Sequence, residues 1–124
     1  MKEFAGDILD PLNIRYEFMQ DGDFRHVKLD LNKRKDFYLV FKEAINNAAK
    51  YSQCKRIDVL LFKDHSAIEM QIIDDGAGFD SGTVKYGNGL NNMHERALQM
   101  HGLLQVSSTK GEGTTIKLRI KSHD

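Results

Sequence analysis

Half of the glycines of this chain fall in one short segment. Five of its ten glycines lie between residues 76 and 89, directly after a stretch in which Ile68, Met70 and Ile72 alternate with polar residues. That alternation predicts a strand with one buried face, whereas a segment so rich in glycine favours neither a regular helix nor a regular strand. The chain must therefore leave a sheet through a long irregular connection before its next helix, which begins near Leu90.

The longest stretch of helical periodicity runs from Lys35 to about Ser52 and contains no glycine or proline. At about 100° per residue, one face of this helix carries apolar side chains that we expect to pack inward. Its members are Phe37, Val40, Phe41, Ala44 and Ala48. Beside that face, a polar stripe follows at one-turn and two-turn spacing, formed by Glu43, Asn47 and Lys50.

Shorter patterns supply the remaining elements. Further helices are predicted over about residues 3–10 and 90–101, and alternating apolar residues predict strands besides the one through Ile72. These strands are expected at residues 14–19, 24–31, 57–63, 103–107 and 114–121. About three helices among six strands, joined by short turns, predict an α+β fold. We expect a two-layer sandwich, with the helices on one face of a mixed, mostly antiparallel sheet.

Composition limits the class of protein. The 124 residues suffice for one domain, so we expect residues 1–124 to form a single unit. Eighteen basic and eighteen acidic residues cancel, and no bulk field favours nucleic acid or an anionic membrane. The single cysteine, Cys54, forms no internal disulfide, and no apolar run approaches the roughly 20 residues of a membrane span. These features predict a cytoplasmic domain without membrane contact of its own.

The polar stripe and the end of the strand through Ile72 offer ligand-binding chemistry. Glu43, Asn47 and Lys50 present a carboxylate, an amide oxygen and an ammonium group, which together suit a hard cation and phosphates. The same three residues also fit an ordinary solvated helix face. Asp74 shares the parity of the inward residues, and an inward carboxylate needs hydrogen-bond donors such as an adenine amine. The alternative is that Asp74 caps a turn.

Two glycine pairs add possible sites. Gly87 and Gly89 precede a helix, where free N–H groups and the helix dipole favour phosphate, although a plain helix entry needs no ligand. The spacing is that of neither a P-loop nor a dinucleotide fingerprint. Gly111 and Gly113 predict a tight hairpin, after which Thr114 shares the inward parity of its strand.

In this order the motifs resemble those of the ATPase superfamily of gyrase, heat-shock chaperone, histidine kinase and mismatch-repair proteins. Residues 42–51 resemble its asparagine box, residues 73–79 its first glycine box and residues 87–96 its second. The sequence of this second glycine box is similar to that of histidine kinases that partner helix-turn-helix response regulators. The resemblance covers about residues 37–120 and implies the Bergerat ATP-binding fold.

The resemblance also implies roles for individual residues. Glu43 would be the polarising or general-base carboxylate, Asn47 would give its amide oxygen to Mg²⁺ with Glu43 beside it, and Lys50 would touch phosphate or ribose. Tyr51 stands where the family often has histidine. Asp74 would accept a hydrogen bond from the adenine amine. The remaining implied contacts are Gly76 and Gly78 around the base, Gly87, Gly89 and Leu90 around the phosphates, and Thr114 behind Asp74 through a water.

As a whole, the resemblance implies a domain that binds Mg-ATP and donates the γ-phosphate to a histidine on a separate dimerisation domain. None of the five histidines stands in the phosphoacceptor setting of the family, so we expect the dimerisation and sensor domains to lie outside these residues. The response regulator would be reached through the parent kinase, whose anchoring in the inner membrane stays open, and this domain alone would be a monomer. We expect residues 79–87 to become ordered when nucleotide binds.

Two other interpretations stay open at this point, and a third is disfavoured. A stand-alone serine kinase that restrains a sigma factor has the same pocket at a similar length. A non-catalytic nucleotide-binding module would keep the fold without turning ATP over. A coupled ATPase of the gyrase or chaperone kind would need a transducer domain for which 124 residues leave no room.

Overall fold

The computed structural model describes residues 1–24, 27, 29–77 and 89–121. Its helices are α1 (Lys2–Leu9), α2 (Leu31–Asn47) and α3 (Gly89–Gln99), and its strands are β1 (Arg15–Asp21), β2 (Arg56–Lys63), β3 (Ala67–Asp74), β4 (Leu103–Thr109) and β5 (Gly113–Lys121). A 3₁₀ turn, Asp10–Leu12, follows α1, and one π-helical turn, Ala48–Ser52, continues α2. Within the described ranges, no helix is both long and apolar enough to cross a membrane.

The helix α2 begins earlier than its apolar face alone suggests. Asp30 is its N-cap and accepts a hydrogen bond from the backbone N–H of Lys33 at 2.8 Å, which satisfies one of the free donors of the first turn. The helical run ends at Gln53, whose left-handed φ of 55° terminates the π turn. All five apolar residues predicted to pack inward are buried, together with Ile45.

The sheet has the strand order β1-β2-β3-β5-β4. β1 and β2 are parallel and α2 lies between them in the chain, whereas the other three pairs are antiparallel. The prediction of a mixed, mostly antiparallel sheet is therefore confirmed. In the register of β3 and β5, Asp74 stands opposite Thr114.

One face of this sheet forms the core with all three helices. Ile68, Met70 and Ile72 are buried on β3, and so are the corresponding alternate residues of β5, namely Ile116, Leu118 and Ile120. They belong to the same cluster as the buried residues of α1, α2 and α3. The opposite face carries polar side chains and ion pairs such as that of Arg56 with Asp58. This arrangement confirms the two-layer α+β sandwich.

The expected strand at residues 24–31 is not formed in its described part. Leu31 already belongs to α2, and the N–H of Val27 donates a hydrogen bond to the carbonyl of Phe24 at 3.3 Å. A close backbone contact explains the glycine at position 22. Its φ is 106°, and a Cβ there would collide with the backbone carbonyl of Lys63. Since β1 pairs in parallel with β2, the chain must cross over through α2 instead of folding back beside β1.

The two longer helices run in opposite directions. Arg96, in the second half of α3, forms an ion pair with Asp36 in the first half of α2, with 3.3 Å between Nη1 and Oδ1. After α3 the chain enters β4, where Leu103 pairs with Arg119 near the far end of β5 from Thr114. The first residues of α3 are therefore directed towards the end of the sheet that holds Asp74.

Candidate functional site

The clearest sign of a site is the set of buried polar side chains. Among the described residues this set consists of Asn47, Asp74 and Thr114, with exposed fractions of 8%, 8% and 7%. Buried polar groups in a protein core are costly unless they find hydrogen-bond partners. All three positions were predicted to contact a ligand, although they come from three separate motifs.

The fold brings these residues to one end of the domain. Asp74 ends β3 and lies between Thr114 on β5 and Ile57 at the start of β2. Asn47 ends α2, and the chain after it passes through the π turn to enter β2 at that same end.

Asp74 is held as a buried carboxylate beside few donors. Its Oδ1 accepts a hydrogen bond from the backbone N–H of Gly76 at 2.9 Å. Burial raises the pKa of the Asp74 carboxyl above its usual value, and the nearby charge of Asp75 acts in the same direction. The backbone N–H groups of Gly76 and Thr114 oppose this shift without cancelling it. The inward orientation predicted from the strand alternation is confirmed, and the turn that the alternative predicted is present as well.

Thr114 is supported from the edge strand. Its Oγ1 lies 2.8 Å from Oγ of Ser108, and Ser108 also donates to the carbonyl of Gly113 at 3.2 Å. Ser108 was not predicted, although the alternation of Leu104 and Val106 along β4 places position 108 on the same face. The hydroxyl pair links the edge strand β4 to Thr114, which stands beside Asp74.

The β4–β5 hairpin contacts the first glycine box directly. Gly111 donates its backbone N–H to the carbonyl of Ala77. Gly113 has a φ of 86°, and a Cβ on it would collide with the backbone oxygen of Asp74. Glycine is required at position 113 because it allows both the left-handed backbone and this close approach. The two glycine motifs thus form one structural unit.

Comparison with known proteins decides the family. The sequence profile described as "Histidine kinase-, DNA gyrase B-, and HSP90-like ATPase" matches residues 32–124, most of the chain. The chain belongs to this ATPase family. The profile begins at α2 and includes the motifs that contain Asn47, Asp74 and Thr114.

Two curated relatives of this ATPase domain are sensor histidine kinases of Bacillus subtilis (strain 168). LiaS is 27% identical over 121 residues, which cover 97% of this chain and 34% of LiaS. YdfH is 32% identical over 103 residues, which cover 79% of this chain and 25% of YdfH. The chain therefore spans about a third or less of the relatives that it matches.

Among solved structures, the mycobacterial sensor histidine kinase MprB is similar to this ATPase domain with a TM-score of 0.70. The two are 20% identical, and the match covers 99% of this chain and 95% of the MprB chain. At this identity the similarity shows a shared fold, including the order of helices and strands around the sheet.

The three residues of the polar stripe differ in their surroundings. Asn47 is buried, and its Nδ2 has no hydrogen-bond partner within the described part of the chain. Glu43, one turn earlier, is half-buried, and Lys50 lies exposed in the π turn. Rotation of the Asn47 amide about χ2 exchanges its oxygen and nitrogen, so this side chain can offer either an acceptor or a donor to a ligand. An unpartnered buried amide fits the expected nucleotide site better than it fits a core.

The other predicted residues are placed as follows. Gly76 is buried beside Asp74, Gly89 is the first residue of α3, and Leu90 is the second. Tyr51 belongs to the π turn, but its side chain and that of Leu90 lie outside the described part of the structure. Gly78, Gly87 and the segment 79–87, whose ordering by nucleotide was predicted, also lie outside it. The roles of all these residues remain predictions.

The carboxylate next to Asp74 was not predicted to matter, yet it is well bound. Oδ1 of Asp75 accepts the backbone N–H groups of Lys55 at 2.8 Å and Arg56 at 3.0 Å. Burial alone would raise the pKa of Asp75, but these N–H donors and the positive charge of Lys55 hold the pKa below its usual value. Adjacent carboxylates therefore have opposite environments, Asp74 buried with a raised pKa and Asp75 exposed with a lowered one.

Proposed function

We propose that this chain forms one ATP-binding domain that binds Mg-ATP and donates the γ-phosphate to a histidine on a separate dimerisation domain of a two-component sensor kinase. The observation that carries the proposal is the buried set Asn47, Asp74 and Thr114 at one end of the domain, where Nδ2 of Asn47 has no partner among the residues that the structure describes. Membership of the ATPase family and the two sensor histidine kinase relatives support the same function.

Adenine would be recognised by Asp74. The carboxylate is buried, and burial disfavours its charge, so a donor supplied by a ligand would relieve a cost that the free protein carries. The exocyclic amine of adenine is such a donor. Thr114, fixed by Ser108, would hold a water against Asp74 and the base, and Gly76 leaves the pocket wall free of a side chain.

The phosphates would lie between α2 and α3. The first turn of α3 starts at Gly89, and the N–H groups of a helix N-terminus together with its dipole favour an anion. Lys50 is exposed and able to reach phosphate or ribose from the π turn. Asn47 and Glu43 would hold a cation beside the phosphates, as the preference of Mg²⁺ for oxygen ligands shared with substrate phosphates requires.

Phosphoryl transfer depends on positioning and on neutralised charge more than on covalent chemistry of the protein. Bound Mg²⁺ would supply the charge neutralisation on the phosphate oxygens. Asn47 orients the polyphosphate, and Glu43 polarises the attacking imidazole as a general base. The bond from the γ-phosphorus to the bridging oxygen of ADP breaks, and a bond to the imidazole nitrogen of the acceptor histidine forms.

The partners follow from this reaction. The acceptor histidine would belong to the dimerisation domain of the parent kinase, and the response regulator would receive the phosphoryl group from there. Since the dimerisation domain provides the contacts between protomers, we propose that this domain alone is monomeric. ATP is supplied in the cytoplasm, and we place the domain on that side of any membrane that anchors the parent.

The test compares nucleotide binding with transfer. Binding of a non-hydrolysable ATP analogue is measured by calorimetry with and without Mg²⁺, and radiolabelled ATP is then supplied with a histidine-bearing dimerisation domain of a sensor kinase. We expect Mg²⁺-dependent binding and an acid-labile phosphohistidine on the acceptor. Absence of nucleotide binding by the folded domain would refute the proposal, and binding without transfer to the supplied dimerisation domain would favour the non-catalytic module.

Asn47→Ala and Asn47→Asp are the informative variants. Asn46→Ala is the matched control at the preceding, half-buried position of α2. The Asn47 variants should lose Mg-ATP binding by at least roughly tenfold, the ratio that about 1.4 kcal/mol produces. Asn46→Ala should bind Mg-ATP as tightly as the unsubstituted domain does. Equal binding by Asn47→Ala and the parent contradicts the role of Asn47.

A further inference from the structure

We propose that Asp75 is a positioning residue for the nucleotide site, because it fixes the chain that follows Asn47 and Lys50 against the strand end that carries Asp74. This inference rests on the proposed function, since it concerns how the adenine side and the phosphate side of one site are held together. Asp75 itself points away from the core and is exposed, so it acts on the ligand only through these neighbours.

The geometry is that of one carboxylate oxygen bridging two consecutive backbone donors. Oδ1 of Asp75 lies 2.8 Å from N of Lys55 and 3.0 Å from N of Arg56. In the opposite direction, the N–H of Asp75 donates to the carbonyl of Arg56 at 3.3 Å. The residue directly after Asp74 is therefore joined at three points to Lys55 and to Arg56, the first residue of β2.

The segment that Asp75 holds has little regular structure of its own. Between Asn47 and Lys55 the chain makes a π turn and then a left-handed residue at Gln53. Beyond this turn, Lys55 is bound in two directions: its carbonyl accepts the N–H of Arg15 at 2.9 Å, and its N–H donates to Asp75. Without the carboxylate, one of the two anchors of Lys55 is lost.

This anchor determines the separation of the two halves of the site. Asp74 is rigid because β2 and β5 pair with β3 on both sides. The end of α2 is joined to that sheet by its buried apolar face, by the buried Cys54 and by the chain leading to Lys55. A looser connection there would let Asn47 and Lys50 shift relative to Asp74, and displacements of about 1 Å are enough to weaken a multi-point ligand site substantially.

The structure offers a matched control at the other end of the same strand. Asp64 precedes β3 and accepts the backbone N–H groups of Ser66 and Ala67, both at 2.9 Å. Asp64 and Asp75 therefore make the same kind of contact, one at each end of β3. The hairpin of Asp64 lies at the end of the sheet opposite to Asp74, so only Asp75 is expected to affect nucleotide binding.

The experiment measures ATP-analogue affinity and the free energy of unfolding for the parent, Asp75→Ala, Asp75→Asn and Asp64→Ala. We expect Asp75→Ala to weaken binding by roughly tenfold, a ratio equivalent to about 1.4 kcal/mol. Asp75→Asn keeps the acceptor oxygen and should restore most of that affinity. Asp64→Ala should lose stability but bind the analogue as the parent does.

Two outcomes overturn the inference. If Asp75→Ala binds as tightly as the parent, Asp75 does not position the site. If Asp64→Ala and Asp75→Ala lose affinity in proportion to their loss of stability, Asp75 has only a general structural role. Both outcomes require that the unsubstituted domain binds the ATP analogue. They are therefore distinct from a failure of the proposed function, in which the unsubstituted domain does not bind the analogue.

Discussion

Replacement of Asp74 by asparagine distinguishes the effect of the buried charge on stability from its effect on nucleotide binding. The substitution keeps the shape of the side chain and keeps an acceptor for the N–H of Gly76, which now lies 2.9 Å from Oδ1. It removes the negative charge. Because Asp74 is 8% exposed, that charge is held largely away from water.

The effect on stability follows from the pKa of Asp74, which burial raises above its unfolded value. An acid with a raised folded pKa stabilises the protein fully below the unfolded pKa, about 3.9, and loses this contribution as the pH rises through the folded pKa. At neutral pH the ionised carboxylate therefore destabilises the free protein. We expect the free energy of unfolding of Asp74→Asn at pH 7 to be unchanged or raised by up to about 1 kcal/mol, a gain typical where a site trades stability for function.

Nucleotide binding should change in the opposite direction. A hydrogen bond to a charged group contributes about 1.5–3 kcal/mol, and its loss corresponds to an affinity roughly ten- to hundredfold lower for ATP. The amide of asparagine also offers a donor, which opposes the amine of adenine but suits the carbonyl at the same position of guanine. The triphosphate contacts are the same for ATP and GTP, so the affinity for ATP should fall by more than the affinity for GTP. The preference for ATP over GTP should therefore decrease.

The assay combines urea unfolding at pH 7 and pH 4 with calorimetric titration of ATP and GTP analogues. The stability advantage of the variant should be smaller at the lower pH, because the cost of the buried charge falls as the pH decreases through the raised pKa of Asp74. If Asp74→Asn binds ATP as tightly as the parent, the adenine role is wrong. If instead the variant loses more than about 2 kcal/mol of stability, a cost typical of an unsatisfied buried group, the carboxylate is a structural turn cap.

The remaining predictions concern the hairpins at the two ends of the sheet. Gly113→Ala should destabilise the domain by more than the roughly 1–2 kcal/mol that a left-handed residue costs, because its Cβ collides with the carbonyl of Asp74. Gly111→Ala is the control, with the same φ of 86° and no atom within 4 Å of the added Cβ, and equal losses in urea unfolding would contradict the collision. At the other end, the N–H of Ser66 and then Arg119 lower the pKa of Asp64 to about 2, so this residue contributes stability above its unfolded pKa that is lost as the pH falls towards 2. A melting-temperature series from pH 5 to pH 2 should show a shallower decline for Asp64→Asn than for the parent, and parallel declines would contradict it.

The parts of the fold that sequence predicted well are those with strong local periodicity. Phe37, Val40 and Phe41 on α2 repeat at helical spacing, and all are buried. Likewise, the alternation through Ile72 was sufficient to orient Asp74 two residues later, where a polar residue would otherwise have suggested the solvent face. In both cases the covalent geometry of one element fixes the direction of the side chain, so no information about neighbours is needed.

The parts that sequence did not predict depend on which strands are neighbours. The strand expected at residues 24–31 is not formed in its described part, because β1 pairs in parallel with β2 and the chain between them crosses over through α2. The contact of Ser108 with Thr114 needs the pairing of β4 with β5. Asp75 bonds to backbone groups 19 and 20 residues earlier in the chain, and no periodicity relates such positions.

The two adjacent carboxylates show why the site is better understood as a ligand pocket than as a strained piece of core. If the end of β3 served stability alone, the exposed and well-bonded Asp75 would suffice, and position 74 would be filled at lower cost by an apolar residue like Ile72. Instead the fold keeps a buried carboxylate with a raised pKa, a buried amide at Asn47 whose nitrogen has no partner among the described residues, and a buried hydroxyl at Thr114 that is satisfied by Ser108 on the edge strand. The first two groups cost free energy in the isolated protein. A nucleotide that supplies one donor to Asp74 and a polar partner to Asn47 offsets those costs together, which is why we expect ATP to stabilise the folded domain by more in the parent than in Asp74→Asn.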